Sequence, residues 1–197
     1  MPLEALSPSD ALTSTVLKHL SGTAQRHAFR TEQLAGAAPD MLSVAAPHPV
    51  FNLELADIDG KDLLSRARLS GWRYLVRAGE RVIAAAEAVE GAGGASPTFS
   101  NTNEGPFVAS TARGIELAER LDQVRKGRFR LALLRVPALY VLALWLQDQG
   151  TSRSDLVIPL SPSPRTLTAE VPLSPARFGD LLADLRRARG KSDDHSN

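Results

Sequence analysis

The chain has 197 residues, of which 43% are hydrophobic and 23% are charged, and its 23 basic and 22 acidic residues leave a net charge of +1. This length predicts one domain with appendages or at most two small domains. The apolar content excludes a wholly disordered chain, and the near-neutral charge gives no general attraction to nucleic acids or anionic membranes. The absence of cysteine excludes disulfides, thiol nucleophiles and thiolate-ligated metals.

The first residues show no basic segment followed by an apolar one, so we expect no secretory signal. The longest apolar run, residues 138–146, is far shorter than the roughly 20 residues that a membrane-spanning helix needs. The sequence therefore predicts a soluble, cytoplasmic protein without a membrane span.

Residues 8–34 have the pattern of an amphipathic helix. Ser9 can cap its start, and Leu12, Val16 and Leu20 form one apolar stripe at intervals of four. The stripe must be covered, either by the rest of the same chain or by a second copy. We define residues 1–40 as an N-terminal helical arm, 41–190 as an α+β domain and 191–197 as a disordered tail.

The next segments alternate between apolar and polar residues, which is typical of strands. Phe51, Leu53 and Leu55 predict a strand, with an exit turn at 56–60. Residues 71–77 and 81–89 are joined by a Gly-containing loop and predict a hairpin. Between the two, a short helix is expected over 61–69.

The second half contains a loop at 91–106, a helix at 111–126 capped by Ser110 or Thr111, and a last helix that begins at Ser174 and Pro175. Strands are predicted at 129–133, 138–146 and 155–160, and an extended loop at 161–173. The predicted core consists of Phe51, Leu53, Trp72, Tyr74, Val82, Ile115, Leu121, Leu131, Leu142, Leu144, Leu181 and Leu185.

This order of elements, with hairpin-like connections, predicts the α+β class. The expected architecture is a mostly antiparallel sheet with helices packed on one face, preceded by the N-terminal helical arm.

Motifs for common chemistries are missing from the sequence. It has no G-x-S-x-G nucleophile elbow and no phosphate-binding loop. The four histidines are too scattered for a metal site, and His48, between two prolines, is expected to be a packed or exposed loop residue. The segment that begins at Asp57 partly resembles a calcium-binding loop. It has Lys61 where such a loop needs an oxygen ligand, and Arg68 where the glutamate at the twelfth position should stand. We therefore expect neither a metal nor a cofactor.

Residues 99–107 place hydroxyl, amide and carboxylate groups between two phenylalanines. A loop of this kind can present a ligand site. Asn101, Asn103 and Glu104 are its candidate ligand-binding residues, and Glu104 is the candidate catalytic acid or base.

The region 113–135 is rich in arginine. Arg120, Arg125, Arg128 and Arg130 are candidates for binding phosphate or an acidic partner. Binding of single-stranded nucleic acid is not expected, because Trp72 and Tyr74, which could stack on bases, are predicted to lie in the core.

Because no catalytic constellation is evident, the sequence favours a non-enzymatic binding or assembly module whose partner is another protein or a second copy. Two alternatives remain open. One is a ligand-binding protein or enzyme that uses residues 99–107, and the other is phosphate or nucleic-acid binding through the arginine-rich region.

Overall fold

The computed structural model describes residues 3–4, 6–29, 32–59, 62–150 and 154–193. Its α-helices are α1 (Asp10–Gln25), α2 (Glu32–Ala35), α3 (Pro106–Arg120), α4 (Asp122–Lys126) and α5 (Pro175–Asp193). Its strands are β1 (Leu3–Glu4), β2 (Leu42–Asn52), β3 (Arg68–Ala78), β4 (Arg81–Val89), β5 (Thr98–Asn103), β6 (Phe129–Val136), β7 (Val141–Asp148) and β8 (Leu156–Pro159). Short 3₁₀ helices lie at Pro39–Met41, Leu55–Asp59, Leu63–Arg66, Ala92–Gly94 and Pro137–Leu139.

Among the described residues the strands form one eight-stranded sheet in the order β5-β4-β3-β2-β6-β7-β8, with β1 beside β6. The pairs β1–β6 and β2–β6 are parallel, and the other pairs are antiparallel. The predicted α+β class with a mostly antiparallel sheet is confirmed, and a helix precedes the sheet as expected.

The helices cover both faces of the sheet, although the sequence suggested one. Successive residues of a strand point to opposite faces. On β6, Leu131 and Leu133 belong to a core cluster with α3 and α4, whereas Ala132 and Leu134 belong to a cluster with α5. On β3, Tyr74 packs against α1. We call the side that carries α1 and α5 the α5 face, and the opposite side the α3 face.

Helix α1 folds back on its own chain. The Ser9 hydroxyl caps it by accepting the Leu12 amide at 3.1 Å. Leu12, Val16 and Leu20 are buried in a cluster that includes residues of β3 and β4. Of the two ways to cover the apolar stripe, the structure therefore has the intramolecular one. The domain boundary near residue 40 stays a prediction.

The predicted hairpin is confirmed as β3 and β4, with Tyr74 paired to Ala86. Residues 84–88 include four fully buried alanines, because β4 lies between α1 and α3. A strand covered on both faces does not alternate, which is why this run resembled a helix in the sequence.

The first residues of one strand and of one helix differ from the predictions. Strand β2 begins at Leu42, since a bulge after Ala45 accommodates Pro47 and Pro49. Helix α3 begins at Pro106, because proline is well suited to the first helical position. Ser110 and Thr111 are therefore buried inside α3 and do not cap it.

Residues 98–103, predicted as part of a loop, form the edge strand β5. The predicted short helix at 61–69 is reduced to the 3₁₀ helix Leu63–Arg66. Gly60 and Lys61 lie outside the described residues, as do 194–197 of the predicted tail.

All twelve predicted core residues belong to, or pack against, the hydrophobic clusters of the two faces. Leu144 is fully buried next to Gly114, where α3 approaches the sheet closely enough that an added Cβ would lie 2.9 Å from a Leu144 methyl carbon.

Candidate functional site

A cleft of about 1000 Å³ opens on the α5 face. It lies between the first turns of α5, the 3₁₀ helix Leu63–Arg66 and the adjoining ends of β7 and β8. Its lining residues are Ile58, Asp62, Leu63, Leu64, Ser65, Trp145, Gln147, Asp148, Gln149, Asp155, Pro175, Ala176, Gly179, Asp180 and Ala183.

The floor of the cleft is apolar and firmly held. The Trp145 indole N–H donates to Asp155 Oδ2 at 2.7 Å, and the ring packs edge-to-face on Phe51 at 5.2 Å. The other oxygen of Asp155 accepts the Asp148 amide at 2.8 Å. Asp155 therefore orients the indole and also ties the end of β7 to the start of β8.

Small residues on α5 keep the cleft open. Ala176, Gly179 and Ala183 are spaced by three and four, which places them on one side of the helix. An added Cβ at Gly179 would meet a Leu63 methyl carbon at 3.6 Å. Ser174 fixes the beginning of this wall, since its hydroxyl accepts the Arg177 amide at 3.2 Å.

The cleft is acidic at its margin. Its described lining residues include four aspartates, Asp62, Asp148, Asp155 and Asp180, and no lysine or arginine. Asp62 and Asp180 are exposed on opposite walls. No group of three or more metal-ligating side chains occurs within the described part of the chain. The aspartates beside the apolar floor suit organic cations that carry apolar surface.

A second polar arrangement lies on the α3 face, around Glu87. Arg135 Nη2 donates to Glu87 Oε1 at 2.6 Å, and Arg73 Nε lies 3.0 Å from the same oxygen. The Arg73 contact is an ion pair without good hydrogen-bond alignment, since neither Nε nor Nη1 of Arg73 has a hydrogen-bond partner. The side chains of Arg73 and Glu87 are 4% and 10% exposed, against 27% for Arg135. We call these three residues the arginine cluster.

His48 lies beside this cluster, paired with Arg73 across β2 and β3. Complete burial lowers the pKa of His48 to about 4; a hydrogen bond with the Ala46 carbonyl opposes this shift, and the nearby Arg73 charge reinforces it. Burial also lowers the pKa of Arg73, against the opposing effect of Glu87. The imidazole is therefore neutral near neutral pH, and the cluster has one more positive than negative charge.

Of the three predicted ligand-binding residues, Asn103 contacts the arginine cluster and Asn101 contacts Asn103. Asn103 Nδ2 donates to Asn101 Oδ1 at 2.9 Å and lies 3.5 Å from Glu87 Oε1. Asn101 is exposed and pairs with Glu87 across β4 and β5. Glu104 is half-buried and is not part of the cleft lining. A catalytic role for Glu104 stays an untested prediction.

Of the four predicted phosphate-binding arginines, Arg128 and Arg130 come together at Glu4, at 2.8 and 3.7 Å, whereas Arg120 and Arg125 lie on α3 and α4. Arg120 lies 3.9 Å from Glu116 on α3, and Arg128 pairs with Glu4 at 2.8 Å. The Arg128 hydrogen bond lowers the pKa of Glu4. Arg125 is exposed on α4. Phe129 and Leu131 point to the α3 face, so Arg130, which lies between them on β6, points to the α5 face. Their role in binding stays a prediction.

The sequence analysis missed the cleft and the arginine cluster. The small residues on α5 were visible as a pattern, but their opposition to Trp145 depends on the sheet order. Comparisons with protein families, with curated proteins and with solved structures found no match to this chain. Within the described residues, no helix has both the length and the apolar character needed to cross a bilayer.

Proposed function

We propose that this protein is a non-enzymatic binding module that holds a basic, amphipathic segment of a partner protein in the cleft on the α5 face. The observation that carries the proposal is the combination of an apolar floor with four aspartates and, among the described lining residues, no lysine or arginine.

The size of the cleft fits a segment of protein. Small-molecule pockets have volumes of roughly 300–1000 Å³, and this cleft is at the upper end of that range and open to solvent along α5. Trp145, Leu63 and Leu64 line the floor and are 4–8% exposed, so they offer a limited area of apolar contact that contributes to affinity. Charge complementarity at the margin contributes mainly specificity and association rate.

The aspartates divide into two roles. Asp155 orients Trp145 and receives a backbone amide, and Asp148 accepts amides from the loop that follows β7. These are structural contacts. Asp62 and Asp180 are exposed at the margin, where lysine or arginine side chains of a bound segment can reach them.

The proposal can be tested with a short amphipathic helical peptide of leucine and lysine, titrated by calorimetry against a leucine–glutamate counterpart. We expect the basic peptide to bind and the acidic one not to bind. The double variant Asp62→Lys, Asp180→Lys should weaken binding by about tenfold or more, because two exposed attractions become repulsions. Added salt should weaken binding as well.

Glu119→Lys on α3 is the matched control, since it reverses an exposed charge away from the cleft. Ala176→Trp fills the cleft without changing its charge and should also abolish binding. Equal binding by Glu119→Lys and the double aspartate variant would overturn the proposal. Binding of the small polyamine spermine without binding of the peptide would exclude a protein segment as the occupant.

A further inference from the structure

We infer that the α3 face carries a second binding site, in which Arg135 and Arg68 hold an oxyanion group, carboxylate or phosphate, of a small ligand. The site lies on the side of the sheet opposite the cleft and does not depend on the function proposed for the cleft.

The arginine cluster contains an unbalanced charge. Arg73 and Glu87 form a buried ion pair, in which the carboxylate neutralises the guanidinium. Arg135 contacts the same Glu87 oxygen but is 27% exposed. Because two guanidinium groups share one carboxylate, a positive charge remains at the surface end of the cluster. An anion from solution would balance it.

The Arg135 guanidinium is held in place but not saturated. Its Nη2 makes the 2.6 Å bond to Glu87, while its Nε and Nη1 make no hydrogen bond within the described residues. Planar guanidinium groups with free donors recognise carboxylate and phosphate oxygens in pairs. Glu87 therefore orients Arg135 so that the remaining donors are available.

The register of the sheet places Arg68 beside Arg135. Asn52 pairs with Arg68 across β2 and β3 and with Arg135 across β2 and β6, so all three residues share the α3 face. Adjacent strands are about 4.8 Å apart, which puts the two arginine backbones roughly 10 Å apart with Asn52 between them. The Arg135 guanidinium lies at Glu87, which pairs with Arg73, five residues from Arg68 along β3, so the Arg68 side chain has to extend along β3 to share an anion with Arg135.

Buried polar atoms next to this point lack partners. Asn52 Oδ1 and Arg73 Nη1 are both buried without a hydrogen bond, and Arg73 is 3% exposed. Unmade hydrogen bonds of buried groups are costly. Arg73 Nη1 is a donor to which an oxyanion could offer an oxygen, whereas Asn52 Oδ1 is an acceptor, so Asn52 serves an oxyanion only after its amide rotates to present Nδ2.

The test uses sodium phosphate and sodium malonate as probes, with sodium chloride at equal ionic strength as the reference. Calorimetric titration and thermal unfolding of the full chain should show binding and stabilisation by one or both probes beyond chloride. Response to phosphate alone identifies a phosphate group as the ligand chemistry, and response to malonate alone identifies a carboxylate.

Arg68→Gln changes an exposed side chain, so it should leave the fold intact and weaken probe binding by about tenfold. Arg135→Gln should do the same, and Arg135→Lys, which keeps the charge but not the planar group, should restore only part of the affinity. Arg120→Gln is the matched control and should bind as the parent does. The inference is overturned if neither probe exceeds chloride, or if Arg68→Gln and Arg135→Gln bind as tightly as Arg120→Gln.

Discussion

His48 shows how one buried residue can make folding depend on pH. The ring is fully buried, and burial, reinforced by Arg73, lowers its pKa to about 4 despite the hydrogen bond with Ala46. In the unfolded chain its pKa returns to about 6.5. Between these values the unfolded state binds the proton and the folded state does not. The contribution of neutral His48 to the free energy of unfolding is therefore fully present above the unfolded pKa and decreases as pH falls toward 4.

We therefore expect the free energy of unfolding to drop by about 2 kcal/mol from about pH 7 to about pH 5, measured by urea denaturation. His48→Gln should lose most of this dependence, because glutamine does not titrate. His19→Gln is the comparison, since the pKa of His19 is lowered by burial and by Arg26 while the ring remains mainly exposed. A parent protein equally stable at both pH values would contradict the role of His48.

The burial of His48 in a strand was not predicted from the sequence, for a physical reason. Prolines at 47 and 49 suggested a loop, because proline has no backbone N–H to donate a hydrogen bond to a neighbouring strand. A bulge accommodates the prolines within β2. Ala46 has a φ of 46° in this bulge, and pairing with β3 resumes at His48. The hydrogen-bond partner of His48, Ala46, lies on the same strand, but the ring is covered by elements distant in the sequence, such as β3 with Arg73, so no local pattern could predict its burial.

At the scale of elements, α1 belongs to the core of the sheet that follows it. Deletion of residues 1–38 would expose Tyr74, Val76 and Ile83 on the α5 face. We expect an aggregated or unfolded product, detected by light scattering and circular dichroism, because an apolar patch of this kind is not stable in water.

A milder variant gives the same test in a folded protein. Leu20→Ala should lower the free energy of unfolding by about 2–5 kcal/mol, the usual cost of a cavity at a fully buried leucine. Leu17→Ala is the matched control and should lower it much less, because Leu17 is exposed. A soluble, folded monomer after deletion of 1–38 would show that the packing of α1 is dispensable.

The strands that were predicted correctly have an apolar pattern within their own residues, and β5 has none. In β3, Trp72, Tyr74 and Val76 alternate with other residues and define one face. Residues 98–103 are mostly polar, and they form a strand because β4 offers a pairing edge, with Ala88 opposite Phe99. The Phe99 ring also stacks on His19 of α1 at 3.6 Å. These contacts are tertiary, so the polar composition alone indicated a loop.

At the scale of the molecule, both candidate sites are products of sheet order. The cleft brings residues near 62, 145 and 179 together, and the arginine cluster brings strands β3, β4 and β6 together. Asn101 and Asn103 were predicted from their side-chain chemistry, but their neighbour Glu87 was not. The side-chain chemistry of these residues was therefore visible in the sequence, whereas the juxtaposition of the groups was not, and the role of Asn101 and Asn103 in binding stays a prediction.

The sheet also separates the two sites. Trp145 faces α5, whereas Arg135 alternates with the α5-facing Leu134 and so points to the α3 face. Ligands at the two sites share no contact residue, so we expect no coupling between them. Saturation with phosphate or malonate should change the affinity for the basic peptide by less than about twofold, and the reverse should hold, since coupling is reciprocal. Calorimetric titration of each probe in the presence of the other measures this. A tenfold change in either direction would mean that β6 transmits a change across the sheet, and the two sites would then act as one regulated unit.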